Sequence, residues 1–151
     1  MVKVVLDTNV LINADRGAGN YGKRILDLVL RGKTRGVVSH QVRRENLLLV
    51  KKLVTDQELK KEIMRFLDNC EEVKPGPIDI TLEDHEDEKL LAAAVGGRAN
   101  FLITEDRHLL EVEEYQKVKI ITPKYFWQWW ERRQDESGKT WNNWARNILG
   151  K

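Results

Sequence analysis

The chain has 151 residues, of which 41% are hydrophobic and 33% charged, with a net charge of +2. That balance suits one globular domain with a real core. It excludes a membrane span, because no run approaches the ~20 apolar residues that crossing needs.

Charge is unevenly spread. Residues 1–36 carry seven Lys/Arg against three Asp/Glu, residues 71–114 four against thirteen, and residues 115–151 eight against three. Basic ends around an acidic middle suit a polyanionic substrate whose phosphate meets a metal ion. Solvated charge blocks would look the same. Cys70 is the only cysteine, so no intrachain disulfide forms; a packing role and a reducing, cytoplasmic setting are expected. No secretory leader is expected, since Asp7 arrives before any apolar core of one.

Val2–Leu6 is rich in Val and Leu and reads as a strand buried on both faces, with Asp7 at its carboxyl end. Ligands of open α/β sheets bind outside those ends. Gly17, Gly19 and Gly22 mark a loop that no Gly-Lys-Ser/Thr follows, which argues against a phosphate-cradling loop. A helix over Ile25–Leu30 closes at Gly32, and Gly36-Val37-Val38 reads as a second strand. Ser39 is placed to cap a helix Gln41–Val54 that carries Glu45. Thr55–Glu58 can start the next helix, with apolar residues Leu59, Ile63, Phe66 and Leu67 at helical spacing. Glu71–Val73 reads as a short edge strand, and Pro75-Gly76-Pro77 as a loop leading to an extended connection, Ile78–Leu82.

Glu83–Glu88 opens a helix that runs to Val95 and stops at Gly96-Gly97. Acids in a first turn favour the helix dipole, so some of them need no further explanation. Ala99–Thr104 reads as another buried strand, followed by a polar turn and a short helix, Glu105–Leu110. Val118–Pro123 reads as the last strand and Lys124–Trp130 as a helix. Alternation of strands and helices predicts a mainly parallel sheet covered on both faces. After Trp130 a polar run, Glu131–Ser137, leads to Gly138; Trp141, Trp144 and Ile148 then share a helical face. The expected division is therefore a domain over 1–130 and a Trp-rich helical extension over 131–151. All five tryptophans fall in the final quarter, where they suit covering the core or a partner, stacking on unpaired bases, or binding a membrane surface.

Four acids stand out by position: Asp7, Glu45, Asp87 and Asp106. Carboxylates gathered in one crevice repel unless a cation neutralises them, and hard divalent ions want oxygen ligands. Such an ion activates water and offsets charge on phosphoryl oxygens, so no Ser or Cys nucleophile is required. Two aspartyl-phosphate alternatives weaken on inspection. Asn9 stands where a haloacid-dehalogenase-type phosphatase wants a second Asp, and Gly36–Ser39 offers no phospho-acceptor acid for a receiver domain. His40, His85 and His108 are not spaced as a zinc site. Arg43, Arg44 and Lys51 are candidates for contacts to substrate phosphates, or simply a solvated face.

The chain also resembles the PIN-domain family, and within it the prokaryotic toxin-component (VapC-like) branch. Val4–Leu11 is similar to the opening motif, Ser39–Glu45 to the helix start and second acid, Asp87–Ala94 to the third-acid helix, and Ala99–Leu110 to the fourth-acid segment. Ile121-Thr122-Pro123 and the aromatic helix resemble the branch's usual end, so the likeness covers about residues 1–130. It implies a three-layer α/β/α sandwich and a Mg²⁺- or Mn²⁺-dependent endoribonuclease. It also implies an RNA substrate, a cognate antitoxin and a homodimer. On this resemblance Asp7, Glu45, Asp87 and Asp106 bind metal, Thr104 adds a hydroxyl, and Asn9 steadies the Asp7 loop. Asp84 and Glu86 compete with Asp87, which the Lys-Leu-Leu-Ala-Ala-Ala register favours. Glu105 stands where the family often has Gly, and the Trp-rich tail has no counterpart. A catalytically silent module of the same fold, binding RNA or protein, and a nuclease for structured DNA are the alternatives.

Overall fold

The computed structural model describes residues 1–135 and residue 148. Its elements are β1 (Lys3–Leu6), α1 (Thr8–Ile12), α2 (Tyr21–Leu30), β2 (Arg35–Ser39), α3 (His40–Leu53), α4 (Gln57–Asn69), β3 (Glu71–Val73), α5 (His85–Gly96), β4 (Phe101–Ile103), α6 (Arg107–Leu110), β5 (Glu114–Tyr115), β6 (Val118–Ile121) and α7 (Pro123–Asp135). The strands form one sheet in the order β3-β2-β1-β4-β6-β5. Every pairing is parallel except β5 with β6. The α/β class and mainly parallel sheet expected from the alternation are therefore present.

Connections β1–α1–α2–β2 and β2–α3–α4–β3 run one way across the sheet, whereas β3–α5–β4 runs back. Right-handed crossovers then put α2 and α4 on one face and α5 on the other. Packing agrees: α2 lies against α4 and α7, and α5 crosses β2, β1 and β4. Strand order reverses beside β1, which opens a crevice at the carboxyl ends of β1 and β4. Both strands are buried throughout apart from Lys3, so their apolar runs hold the crevice walls rigid.

Three differences from the sequence reading have local causes. The β5–β6 hairpin was not expected, because its turn residues Gln116 and Lys117 take positive φ (45° and 70°) without glycine or asparagine to announce it. Asp7 starts a short helix, α1, by accepting the Asn9 backbone N–H. Helix α7 runs on to Asp135 through Glu131, Arg132, Arg133 and Gln134, all good helix formers. The described tryptophans cover their own core: Trp129 is buried, 4.7 Å from the Phe101 ring, and Arg24 lies between Tyr21 and Trp127. The expected face of Trp141 and Trp144 lies outside the described residues. Among the described residues no helix is long and apolar enough to cross a membrane.

The end of α5 is held by close backbone approach. Gly76 donates to the Ala92 carbonyl at 2.8 Å, and a Cβ on Gly96 would overlap the Lys74 carbonyl and stand 2.7 Å from the Gly76 nitrogen. Backbone cannot swing aside as a flexible side chain does. Gly96→Ala is therefore expected to destabilise the protein by about 2 kcal/mol. Urea denaturation would measure it; a midpoint unchanged from that of the parent would show that the 74–76 loop yields freely.

Candidate active site

Asp7 leaves β1 in extended conformation and caps α1. Its carboxylate accepts from the Asn9 N–H at 3.3 Å and from the Thr104 hydroxyl at 2.7 Å. The Thr104 hydroxyl also accepts the Asp106 N–H at 2.9 Å. One buried threonine thus ties the end of β1 to the end of β4 and sets two acids side by side. Asp106 in turn caps α6, accepting from His108 N–H at 2.8 Å and Leu109 N–H at 3.2 Å. Asp87 enters from the other face, in the first turn of α5, and is buried.

A cleft of about 190 Å³ brings these groups together. Its lining includes Asp7, Thr8, Asn9, Glu45, Asp84, Glu86, Asp87 and Asp106. All four acids singled out from the sequence are therefore in one place. Their competitors have other duties: Asp84 caps α5 and Glu86 pairs with Lys89. Glu105 is exposed and lines a neighbouring hollow with Asn9, Arg16 and Tyr21.

The electrostatics differ sharply among the acids. Burial raises the Asp7 carboxyl above its ordinary value, and Asp106 adds repulsion against the hydrogen bond from Thr104. Asp87 is pushed up to about 7, first by burial and then by repulsion from Asp106, Asp7 and Asp84; His108 opposes this. Burial also works to raise Glu45, but hydrogen bonding with Glu86 and Lys89 outweighs it and holds the group below its ordinary value. Asp7, Asp87 and Asp106 are thus an acidic trio short of positive charge, while Glu45 is already matched.

Among the described residues no three His, Cys, Asp or Glu side chains stand at the spacing that ligates one ion. The donor chemistry nonetheless fits one. The trio is all oxygen, Asp106 repels both Asp7 and Asp87, and a hard divalent cation would relieve both burial and repulsion. Cys70 offers no competing nucleophile, because burial pushes its thiol up to about 12.

Other candidates fare differently. Arg44 and Lys51 are exposed on α3. Arg43 is not available for phosphate: its guanidinium donates to the Leu67 and Cys70 carbonyls at 3.2 Å and to Glu72 at 2.5 Å. It fastens α3 to α4 and β3. A larger groove of about 570 Å³ lies between α2 and α4, lined in part by Lys23, Arg24, Arg31 and Arg65, and holds none of the four acids.

Two residues that shape the site were not foreseen. Thr8 donates to the buried Asn46 at 2.5 Å, fixing α3 against α1 beside Glu45. A polar residue between Val42 and Val50 on the buried stripe of α3 was the available signal. Lys89 donates to Glu45 at 2.9 Å across 44 residues of sequence, and nothing local announces that pair.

A family model described as PIN domain matches residues 3–108. No curated protein matches the sequence. Among solved structures, the crystal structure of VapBC2 from Rickettsia felis bound to a DNA fragment from their promoter includes a similar chain. The TM-score is 0.52 at 15% identity, covering 79% of this chain and 97% of that one. At that identity the likeness speaks for the fold.

Proposed function

The chain belongs to the PIN-domain family, and from that premise we propose that it is a divalent-metal-dependent endoribonuclease, the toxin half of a toxin–antitoxin pair. The observation that carries the reading is the meeting of Asp7, Asp87 and Asp106 in one cleft, where burial first and then repulsion from the neighbouring acids lift Asp87 to about 7. Families of nucleases use such clusters to hold Mg²⁺ or Mn²⁺. When bound, the ion would lower the pKa of water and offset charge on the scissile phosphate.

The protein's own groups do the positioning. Asp7, Asp87 and Asp106 would hold the ion, with Glu45 at the cleft edge as the fourth acid. Thr104 orients Asp7 through its hydroxyl, and the Asn9 N–H fixes the other oxygen. Arg44 and Lys51 suit flanking phosphates, and their exposed cations would make binding salt-dependent. The likeness to a chain of a VapBC complex supports an antitoxin partner. Assembly as a homodimer and a cytoplasmic location are part of the same proposal.

The test is direct. Single-stranded RNA, incubated with the purified protein and Mn²⁺ or Mg²⁺, is expected to be cut internally, with EDTA abolishing cleavage. Cleavage that persists in EDTA would remove the metal from the reading. Binding without cleavage would make the protein a silent module, and cleavage confined to branched DNA would reassign the substrate.

A further inference from the structure

The acidic cleft has a cation of its own at its edge. Lys89 stands two residues after Asp87 on α5, half-buried, with its Nζ 2.9 Å from Glu45 Oε1 and 2.9 Å from Glu86 Oε1. The residues that line the cleft include six acids and no Lys or Arg. Lys89 therefore reaches in from just outside and takes up two of the six. Glu45 arrives from α3 and Asp87 from α5, so the Lys89–Glu45 pair is also the bond that joins the two helices at the cleft.

We propose that Lys89 is a positioning residue that neutralises Glu45 and pins it at the cleft edge, leaving Asp7, Asp87 and Asp106 as the acids that take the divalent ion directly. The inference rests on the metal-dependent reading above. Its physical basis is the sharing of charge. Three repelling aspartates already need a cation, and a fourth free carboxylate would swing toward the same ion and compete for its coordination positions. Held by Lys89, Glu45 keeps one geometry and leaves open positions for water and phosphate. A half-exposed pair of this kind adds little to global stability, so its effect is felt on the ion rather than on the fold.

Lys89→Met separates the two. The metal-free variant is expected to melt close to the unaltered protein. Its Mn²⁺ affinity, measured by titration calorimetry, is expected to rise on the order of five-fold, because a positive charge leaves the neighbourhood and Glu45 is freed. Cleavage is expected to fall about ten-fold as Glu45 leaves its place. Tighter metal with slower turnover is a split that a loosened fold would not produce. Lys89→Arg, which keeps the charge, should return Mn²⁺ affinity to the parent value. In a Glu45→Gln background, Lys89→Met should tighten Mn²⁺ by much less, since no acid is released.

Unchanged or weaker Mn²⁺ binding by Lys89→Met overturns the role given to Lys89, as does full tightening in the Glu45→Gln background. Neither result touches the nuclease reading if the unaltered protein still binds Mn²⁺ and cuts RNA. No Mn²⁺ binding by the unaltered protein overturns both.

Discussion

Asp7→Asn will leave the fold standing and lower Mn²⁺-supported RNA cleavage by on the order of 10³-fold. The argument turns on how little else the change disturbs. Asn is as good a helix cap as Asp, so α1 keeps its start. The Asn9 N–H and the Thr104 hydroxyl, which now donate to the carboxylate at 3.3 Å and 2.7 Å, compete for one remaining acceptor oxygen, so one hydrogen bond weakens. What disappears outright is the negative charge at the meeting point of β1 and β4. Burial and Asp106 both push against that charge in the metal-free protein, so its loss brings electrostatic relief rather than strain. Circular dichroism should be unchanged, and the thermal midpoint without metal should not fall by more than a few degrees. A variant that keeps a tenth or more of its cleavage would reduce Asp7 to a cap.

The legible parts of this site are those written locally. Asp7 and Asp106 could be found because each follows closely on a strand of buried apolar residues, and a strand's carboxyl end is where an α/β sheet offers a crevice. Asp87 needed a helix register to separate it from Asp84 and Glu86; in the fold Asp84 caps the helix, Glu86 pairs with Lys89, and Asp87 is buried. Glu45 was found as an acid but not as a paired one. Its partner is 44 residues away, and the two meet only because α3 and α5 converge at the cleft. The pairing of Arg43 was hidden for the same reason. Its three partners, Leu67, Cys70 and Glu72, lie 24 to 29 residues away, at the end of the next helix and just after it, so in the sequence it resembled a free surface cation. The missed hairpin β5–β6 is a different case, since residues outside the usual turn set carry the positive φ. Patterns of burial and capping act over a few residues and can be read; charge pairing across layers cannot.

Asp87→Asn is expected to reverse sign with metal. Without metal at pH 8, the unaltered protein carries an ionised Asp87 in a buried, repelling setting. Its carboxyl is raised from 3.8 to about 7 in the fold. Between those values the folded protein binds a proton that the unfolded chain has released, so stability falls as pH rises from about 4 to about 7 and levels off above. Asn cannot ionise and removes that loss. Allowing for screening at the mouth of the cleft, the metal-free variant should be more stable at pH 8 by about 1 kcal/mol, seen as a melting point about 2–4 °C higher, and little changed near pH 4. With Mn²⁺ at a hundred times its Kd, the unaltered protein should gain about 2.7 kcal/mol, and the variant should lose most of that gain. Proton and metal compete for the same oxygen atoms, so Mn²⁺ affinity of the unaltered protein should weaken up to about ten-fold per pH unit below 7. Thermal melts at pH 4, 6 and 8, with and without Mn²⁺, would read all of this. Equal stabilisation of parent and variant by Mn²⁺ would take Asp87 out of the ion site and return it to the role of a first-turn helix acid.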